Sequence, residues 1–597
     1  MSEVSVPPLV TGSGAGNLVD YLLGWAYREP ARVLASARDG DTWRDVTAVE
    51  LQGRVDRLAK GFLAAGVGAG DRVALMSRTR LEWTVTDLAL WSVGAVPVPV
   101  YETSSADQVR WICQDSGAVA MIVEDAAMRA VVTRCRDDLP DLRDVWQIGS
   151  GSLEELAAAG LEVADDELEA RRSAVDRGDL ATIIYTSGTT GVPRGCELTH
   201  GNFMALADNA CERLAVVVEA PGAANLIFLP LAHVFARFIQ VVCLRAGVRM
   251  GHSPDARSLL DDLAGFGPTF VLAVPRVFEK IYAAAEQRAQ ASGRAAVFRW
   301  AARVADAHSR AVDTGSVGPV LRVQHALADR LVLGRLRASL GGRVRYAISG
   351  GAALGSRLGH FFRGAGIVVL EGYGLTETTA PVTVNTPDQL RIGTVGRPLP
   401  GVSVRVADDG EILVKGVGVF RGYRHDPEGT AAVLQEGWLR TGDLGEVDAD
   451  GFLRVTGRSK EILVTAGGKN VVPGPLEDRL RAHPLVSQCM VVGEARPFVA
   501  ALVTLDADLL PDWLGRHGLT GLPPEQVVTH PLLRQEIQDA VDEANAAVSR
   551  AESIRAFTVL AEDFTVEAGT LTPSLKLRRH VVAEAHAEQI EAVYRRR

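Results

Sequence analysis

Residues 185–200 read YTSGTTGVPRGCELTH, Tyr185 to His200, and this stretch decides the fold. A run of apolar β-formers, Ala181 to Tyr185 (ATIIY), reads as a buried strand that ends abruptly in glycines, hydroxyls and one cation. Gly188, Gly191 and Gly195 allow close backbone approach, Thr186, Ser187, Thr189 and Thr190 add donors, and Arg194 supplies a fixed positive charge. Such a loop is suited to phosphate. No Gly-Lys-Ser/Thr follows at the spacing of a Walker A motif, so the usual P-loop hydrolase reading fails. A flexible Gly/Ser/Thr surface connection explains the loop equally well when it is taken alone.

The sequence on either side reads as alternating helix and strand. Thr47 to Gly66 is an expected amphipathic helix, capped by Thr47, with Leu51, Val55, Leu58 and Phe62 on one face. Strands are expected at Arg72 to Met76, Phe270 to Val274, Val344 to Ile348 and Ile367 to Leu370. This alternation implies an α/β fold: mostly parallel sheets flanked by helices, with ligands beyond the carboxyl ends of the strands. Three glycine-bearing loops are expected there, Thr186 to Gly195, Ser349 to Ala352 and Gly372 to Gly374. A long Ala/Arg-rich stretch, about 279–340, reads as a helical insertion, and about 401–456 as an antiparallel β subdomain. A large domain over 1–457 and a small, mobile α+β domain over 458–597 are therefore expected.

Composition narrows the function. The 597 residues are 47% hydrophobic and 23% charged with a net charge of -10, which excludes a largely disordered chain and argues against a nucleic-acid partner. The six cysteines have neither metal-ligand spacing nor the density of a disulfide scaffold, and the N-terminus lacks a secretory pattern, so a cytoplasmic protein is expected.

Four further clusters carry chemistry. Glu371 to Thr378 (EGYGLTET) combines an aromatic ring, hydroxyls and a carboxylate: Tyr373 could stack on a base, Thr376 bond a phosphate oxygen and Glu377 hold Mg²⁺. A packing tyrosine and a solvated loop acid are the alternatives for Tyr373 and Glu377. Asp443, in WLRTGDLG, and Arg458, in GRSKE, suit a ribose, although a turn aspartate and a surface arginine are commoner. Lys576, in LTPSLKL, would be unremarkable alone.

YTSGTTGVPRG, YGLTET, WLRTGDLG, GRSKEILVTAGGKNV and TPSLKL stand in the order and spacing of the adenylate-forming superfamily, the acyl-CoA synthetases, luciferases and nonribosomal adenylation domains. The chain resembles that superfamily over nearly its whole length. The insertion after Pro275-Arg276-Val277 and the SGGAAL segment are similar to bacterial long-chain fatty acyl-CoA synthetases.

The resemblance implies that Thr186 to Gly195 binds pyrophosphate, that Gly351 and Tyr373 wall the adenine, and that Thr376 contacts the α-phosphate. Glu377 would hold Mg²⁺, Asp443 and Arg458 the ribose, and Lys576 would be the catalytic lysine. Lys460 would be the hinge, Gly468 and Lys469 would approach the thiol acceptor, and His233 would stand near the reacting carboxylate unless it is a satisfied core histidine. The implied substrates are ATP, a long-chain fatty acid and CoA. Two departures stand out: Arg194 replaces the usual lysine, and Ser574 the commoner threonine.

An enzyme for another acid, or one serving a separate carrier protein, remains open but is not favoured. A catalytically silent nucleotide binder ranks last, because Lys576 and Glu377 are both present. Transient contact with the inner face of a membrane is allowed, because long-chain acids partition there, although no segment reads as an amphipathic anchor.

Overall fold

The computed structural model describes residues 2–12, 15–40, 42–187, 192–255, 258–546, 548–572 and 576–595. The chain divides into two compact units, one of Met1–Arg405, Leu413–Thr441 and Val447–Leu453, the other of Val406–Ile412, Gly442–Glu446 and Arg454–Arg597.

In the first unit a nine-stranded sheet runs in the order Arg397–Pro398, Ala380–Val384, Val368–Leu375, Tyr346–Ser349, Phe270–Ala273, Ala224–Ile227, Arg249–His252, Val33–Asp39, Thr42–Thr47. Its central pairings are parallel and its edges antiparallel. A second sheet, Val96–Val100, Arg72–Met76, Ala118–Val123 and Asp144–Gln147, is parallel throughout.

Local sequence explains many of these elements. The helix Ala48–Ala64 begins with a capping box between Thr47 and Glu50 and buries Leu51, Val55, Leu58 and Phe62. Each such side chain contributes about 2 kcal/mol on leaving water. The Ala/Arg-rich stretch forms the helices Pro275–Ala291, Ala295–Asp313, Pro319–Ala328 and Gly334–Ser339. It connects two neighbouring parallel strands, Phe270–Ala273 and Tyr346–Ser349, and is therefore a crossover of the sheet. Phe298, Ala301, Val304 and Ala305 are buried with Phe361 and Phe362 in one core cluster. At Gly364 an added Cβ would lie 2.1 Å from the Ala305 carbonyl, so glycine is what lets Ser356–Gly364 approach Ala295–Asp313 so closely.

Two expectations are corrected. The expected loop Thr186 to Gly195 is strand at both of its ends: Leu180–Ser187 and Pro193–Thr199 pair antiparallel, with Thr186 opposite Arg194. Gly372 to Gly374 is not a loop. It lies within the strand Val368–Leu375, which continues past the parallel sheet and pairs antiparallel with Ala380–Val384 through an irregularity between Tyr373 and Gly374.

Within the second unit, Val486–Val492, Val499–Leu505 and Ile554–Val559 form a three-stranded sheet. Gly474–Arg481 and Pro531–Asn545 supply Leu476, Leu480 and Ile537 to its core. The short strands expected over 401–456 are present, with left-handed glycines Gly410 and Gly451 at the turns between them.

Two buried histidines give the first unit a pH-dependent stability. Burial pushes His200 down to about 3 and His252 down to about 4. Both rings stay neutral in the folded chain, His200 accepting from the Leu18 N–H through Nδ1 at 3.3 Å. The unfolded chain binds these protons from about pH 6.5 downward, so stability is lost as pH falls below that value, at about 1.4 kcal/mol per pH unit for each ring. Urea midpoints measured between about pH 7 and pH 5 check this: His200→Gln should show a shallower slope than the parent. Identical slopes would contradict the assignment.

Candidate active site

Four neighbouring parallel strands of the nine-stranded sheet send their carboxyl ends to residues singled out by sequence. Ala224–Ile227 leads to His233, Phe270–Ala273 to Val274 and Pro275, Tyr346–Ser349 to Gly351, and Val368–Leu375 carries Tyr373 beyond the sheet edge. Topology alone therefore lines up His233, Gly351 and Tyr373 along one rim. Gly351 has φ +85° and is exposed, and an added Cβ there would meet nothing nearer than Val274 at 3.8 Å. Tyr373 is half-buried. His233 is neither free nor a core residue: it caps the helix Val234–Ala246, its Nδ1 accepting from the Phe235 N–H at 3.2 Å.

Thr376 and Glu377 occupy a single turn of 3-10 helix, Thr376–Thr378. Surrounding contacts hold this turn against backbone strain, because Thr379 and Ala380 both have positive φ, +58° and +88°, although neither is glycine. Thr379 Oγ1 donates to the Gly418 carbonyl at 2.7 Å and the Phe420 N–H to the Glu377 carbonyl at 2.8 Å. Gly374 is required beside it, since a Cβ there would lie 1.8 Å from the Ala380 carbonyl oxygen.

The hairpin and this turn are joined through Tyr423. Gly422–Tyr423 pairs with Pro193–Thr199, placing Tyr423 opposite Cys196. The Tyr423 hydroxyl donates to Glu377 Oε1 at 2.8 Å. Burial raises the pKa of this phenol, and the adjacent Glu377 charge raises it further, so it remains a proton donor. Arg194 lies over the same ring, 5.3 Å from its centroid, with Nε 3.5 Å from Asp426. Arg194 and Glu377, 183 positions apart in sequence, thus share one tyrosine.

Along the two hairpin strands, Tyr185 donates to Asp115 at 2.5 Å and Trp111 Nε1 to the Pro193 carbonyl at 2.9 Å, while Arg424 donates to the carbonyls of Asp115 and Ser116. Burial pushes the Cys196 thiol well up, which leaves it inert. Sequence reasoning missed Tyr423, Arg424 and Asp426. Their only signal is the dense polar run RGYRHD, residues 421–426, inside a stretch read as β structure. Thr186 lies in the hairpin strand with Oγ1 4.0 Å from Cys196 Sγ, and Ser187 closes the strand. Gly188, Thr189, Thr190 and Gly191, expected to hold phosphate, lie outside the described residues, as does Ser574.

The second unit carries the other expected residues. Asp443 is buried, and Arg458 Nε lies 2.9 Å from its Oδ1 with the guanidinium half exposed. Glu411 accepts from the Gly442 N–H at 2.9 Å and so fixes the turn before Asp443. Lys460 is exposed in the short turn Ser459–Glu461. Gly468 has φ +75°, and Lys469 Nζ lies 3.3 Å from Glu552. Lys576 is exposed; its N–H donates to Thr572 Oγ1 at 3.0 Å and its carbonyl accepts from the Thr572 N–H at 2.8 Å, beside the Leu571–Leu577 bridge.

Known proteins share this sequence and fold. The family described as AMP-binding enzyme matches residues 24–424, and the AMP-binding enzyme C-terminal domain matches residues 460–597. The chain is 48% identical to long-chain-fatty-acid–CoA ligase FadD15 of Mycobacterium tuberculosis, covering 100% of both chains. It is 30% identical to long-chain-fatty-acid–CoA ligase ACSBG1 of Mus musculus, over 93% of this chain and 82% of that one. The crystal structure of the anthranilate CoA ligase AuaEII with anthranoyl-AMP shares the fold, with a TM-score of 0.74, 20% identity and coverage of 96% of this chain and 98% of that one. With two family matches that together span most of its length, and a relative nearly half identical from end to end, the chain belongs to the AMP-binding enzymes of the adenylate-forming superfamily, close to the fatty acyl-CoA synthetases.

Proposed function

We propose that the chain is an ATP-dependent long-chain fatty acid:CoA ligase that forms acyl-CoA, AMP and pyrophosphate. The observation that carries this reading is the end-to-end 48% identity to FadD15. A silent nucleotide binder is not favoured, because the chain keeps Glu377 and Lys576. Acceptance by a separate carrier protein has no observation behind it.

In this reading the large domain, 1–457, binds ATP between Gly351 and Tyr373, with Thr376 at the α-phosphate and Thr186 to Gly195 around the pyrophosphate moiety. Asp443 and Arg458 hold the ribose. Among the described residues no cluster of three or more His, Cys, Asp or Glu could hold a metal by itself. Glu377 would hold a magnesium ion: Tyr423 fixes Oε1, and Oε2 accepts no hydrogen bond from a described residue. When bound, Mg²⁺ supplies charge neutralisation at the phosphate oxygens.

The chemistry needs no protein nucleophile. A carboxylate oxygen of the fatty acid attacks the α-phosphorus, the bond to the bridging oxygen breaks, and pyrophosphate leaves with the electron pair. Lys576 stabilises the charge that builds on the phosphoryl oxygens. The small domain, 458–597, then turns at Lys460 so that Gly468 and Lys469 serve the second step. The CoA sulfur attacks the acyl carbonyl, its proton passes to solvent, and the anhydride bond breaks to release AMP. His233 stands by the carboxylate, its orientation fixed by its capping bond.

Incubation with palmitate, ATP and Mg²⁺ should release pyrophosphate, and addition of CoA should yield palmitoyl-CoA with AMP. Formation of ADP and phosphate would overturn the reading. Arg194 is expected to tolerate exchange, because its charge matters more than its fork in a contact as loose as 3.5 Å to Asp426. Arg194→Lys should change the KM for ATP by less than about fivefold, and Arg194→Ala should raise it by more than about tenfold. Steady-state kinetics at saturating palmitate would measure both, and equal effects would contradict a charge-based role.

A further inference from the structure

Arg579 stands between two carboxylates that hold it unequally. It opens the helix Arg579–Ala585, three residues after Lys576; its Nη2 donates to Glu477 Oε2, and its Nε lies 3.5 Å from Glu461 Oε2. The Glu477 side chain, on the helix Gly474–Arg481, is 4% exposed, and its other oxygen accepts from the Val491 N–H at 2.7 Å. That contact is built into the core. Glu461 is held differently: its side chain is 37% exposed, it ends the turn Ser459–Glu461, and its distance to Arg579 is that of a loose ion pair.

All of these residues belong to the second unit. Between Glu461 and the helix Gly474–Arg481 the chain makes the short antiparallel pairing of Leu463–Val464 with Asn470–Val471. A rotation that begins at residue 460 could be absorbed there by local bending. The other end is firmer: the Arg578 N–H donates to the Thr570 carbonyl at 2.9 Å, and Leu577 packs against the buried cluster of Met490 and Leu502. Arg579 therefore ties the first residue past position 460 both to the helix Gly474–Arg481 and to the segment that bears Lys576.

We infer that Arg579 is a positioning residue: with Glu477 as its fixed partner and Glu461 as its loose one, it makes the turn at 459–461, the helix Gly474–Arg481 and the Lys576 segment move as one body. The role rests on the proposed function, in which the small domain turns at Lys460 and Lys576 serves acyl-adenylate formation. Arginine suits it because a planar guanidinium presents donors in fixed directions to both carboxylates. A single ammonium that keeps the buried Glu477 gives up Glu461.

The two half-reactions separate this role from a merely structural one. Arg579→Lys and Glu461→Gln should each cut kcat for palmitate-dependent pyrophosphate release by about fivefold, the upper range for a partly exposed ion pair. KM for ATP, and thioester formation from supplied palmitoyl-AMP, should stay within about twofold of the parent values. The double variant should fall no further than either single one, because both substitutions break the same contact. Amide hydrogen exchange, which needs no turnover, should rise in Glu461→Gln at 462–473 and at 576–579 together. Parent rates in the single variants, equal loss in both half-reactions, additive losses in the double variant, or faster exchange at one segment alone would overturn the proposal. A parent chain that releases no pyrophosphate with palmitate would instead contradict the fatty-acid reading, and the exchange measurement would still decide whether Arg579 joins the two segments.

Discussion

Lys576→Ala is expected to cut palmitate-dependent pyrophosphate release by about a thousandfold, the upper range for loss of one group that stabilises transition-state charge. Thioester formation from supplied palmitoyl-AMP and CoA should stay within about threefold of the parent rate, because the proposed role confines the lysine to the first half-reaction. The side chain is exposed, and the Lys576 backbone is bonded at both its N–H and its carbonyl to Thr572, beside the Leu571–Leu577 bridge. Rapid-quench measurement of the two half-reactions separates the outcomes. Equal loss in both would mean that Lys576 positions a domain or a shared substrate.

Glu377→Gln should lower the overall rate by about a hundredfold. Its signature is a steep rise in the Mg²⁺ concentration needed for half-maximal activity, since the substitution removes the one carboxylate assigned to the cation. Tyr423 provides the internal control. It donates to Glu377 Oε1 at 2.8 Å and orients the carboxylate without carrying its charge. Tyr423→Phe should therefore raise the Mg²⁺ requirement only several-fold, because one neutral hydrogen bond to a charged group is lost. Magnesium titrations of the three proteins at saturating ATP would check the order. An unchanged Mg²⁺ requirement in Glu377→Gln would remove the metal role.

The elements that sequence predicted well are those whose signals are local. Thr47, Glu50 and a 3.6-residue apolar period mark the helix Ala48–Ala64 by themselves, and Arg72–Met76 is a short apolar strand bounded by a turn. The hairpin was not legible, because Pro193–Thr199 reads as a polar loop until it pairs with Leu180–Ser187, a choice made by neighbours outside the segment. Gly372 to Gly374 carries turn residues, yet antiparallel pairing with Ala380–Val384 draws it into a strand.

The site was legible to the same degree. Sequence singled out Arg194 and Glu377 separately, but not the ring between them, because Tyr423 meets each only through tertiary contact. The sequence allows His233 to be a core residue or a substrate neighbour but gives no sign of the capping bond its ring accepts from the Phe235 N–H. Val320, Val323, Leu327 and Leu331, exposed at helical spacing in the crossover, show a different limit. Periodicity reports that a helix has an apolar face, and it cannot report which face is covered when both sides are apolar.

The central claim is that the acid's own oxygen attacks the α-phosphorus of ATP. Palmitate labelled with heavy oxygen in its carboxylate, turned over with ATP and CoA, tests this by mass spectrometry of the products. A single labelled oxygen in AMP is the expected result, since the anhydride keeps one carboxylate oxygen on phosphorus when the thiol attacks carbon. Unlabelled AMP, or label recovered in inorganic phosphate beside ADP, would contradict it.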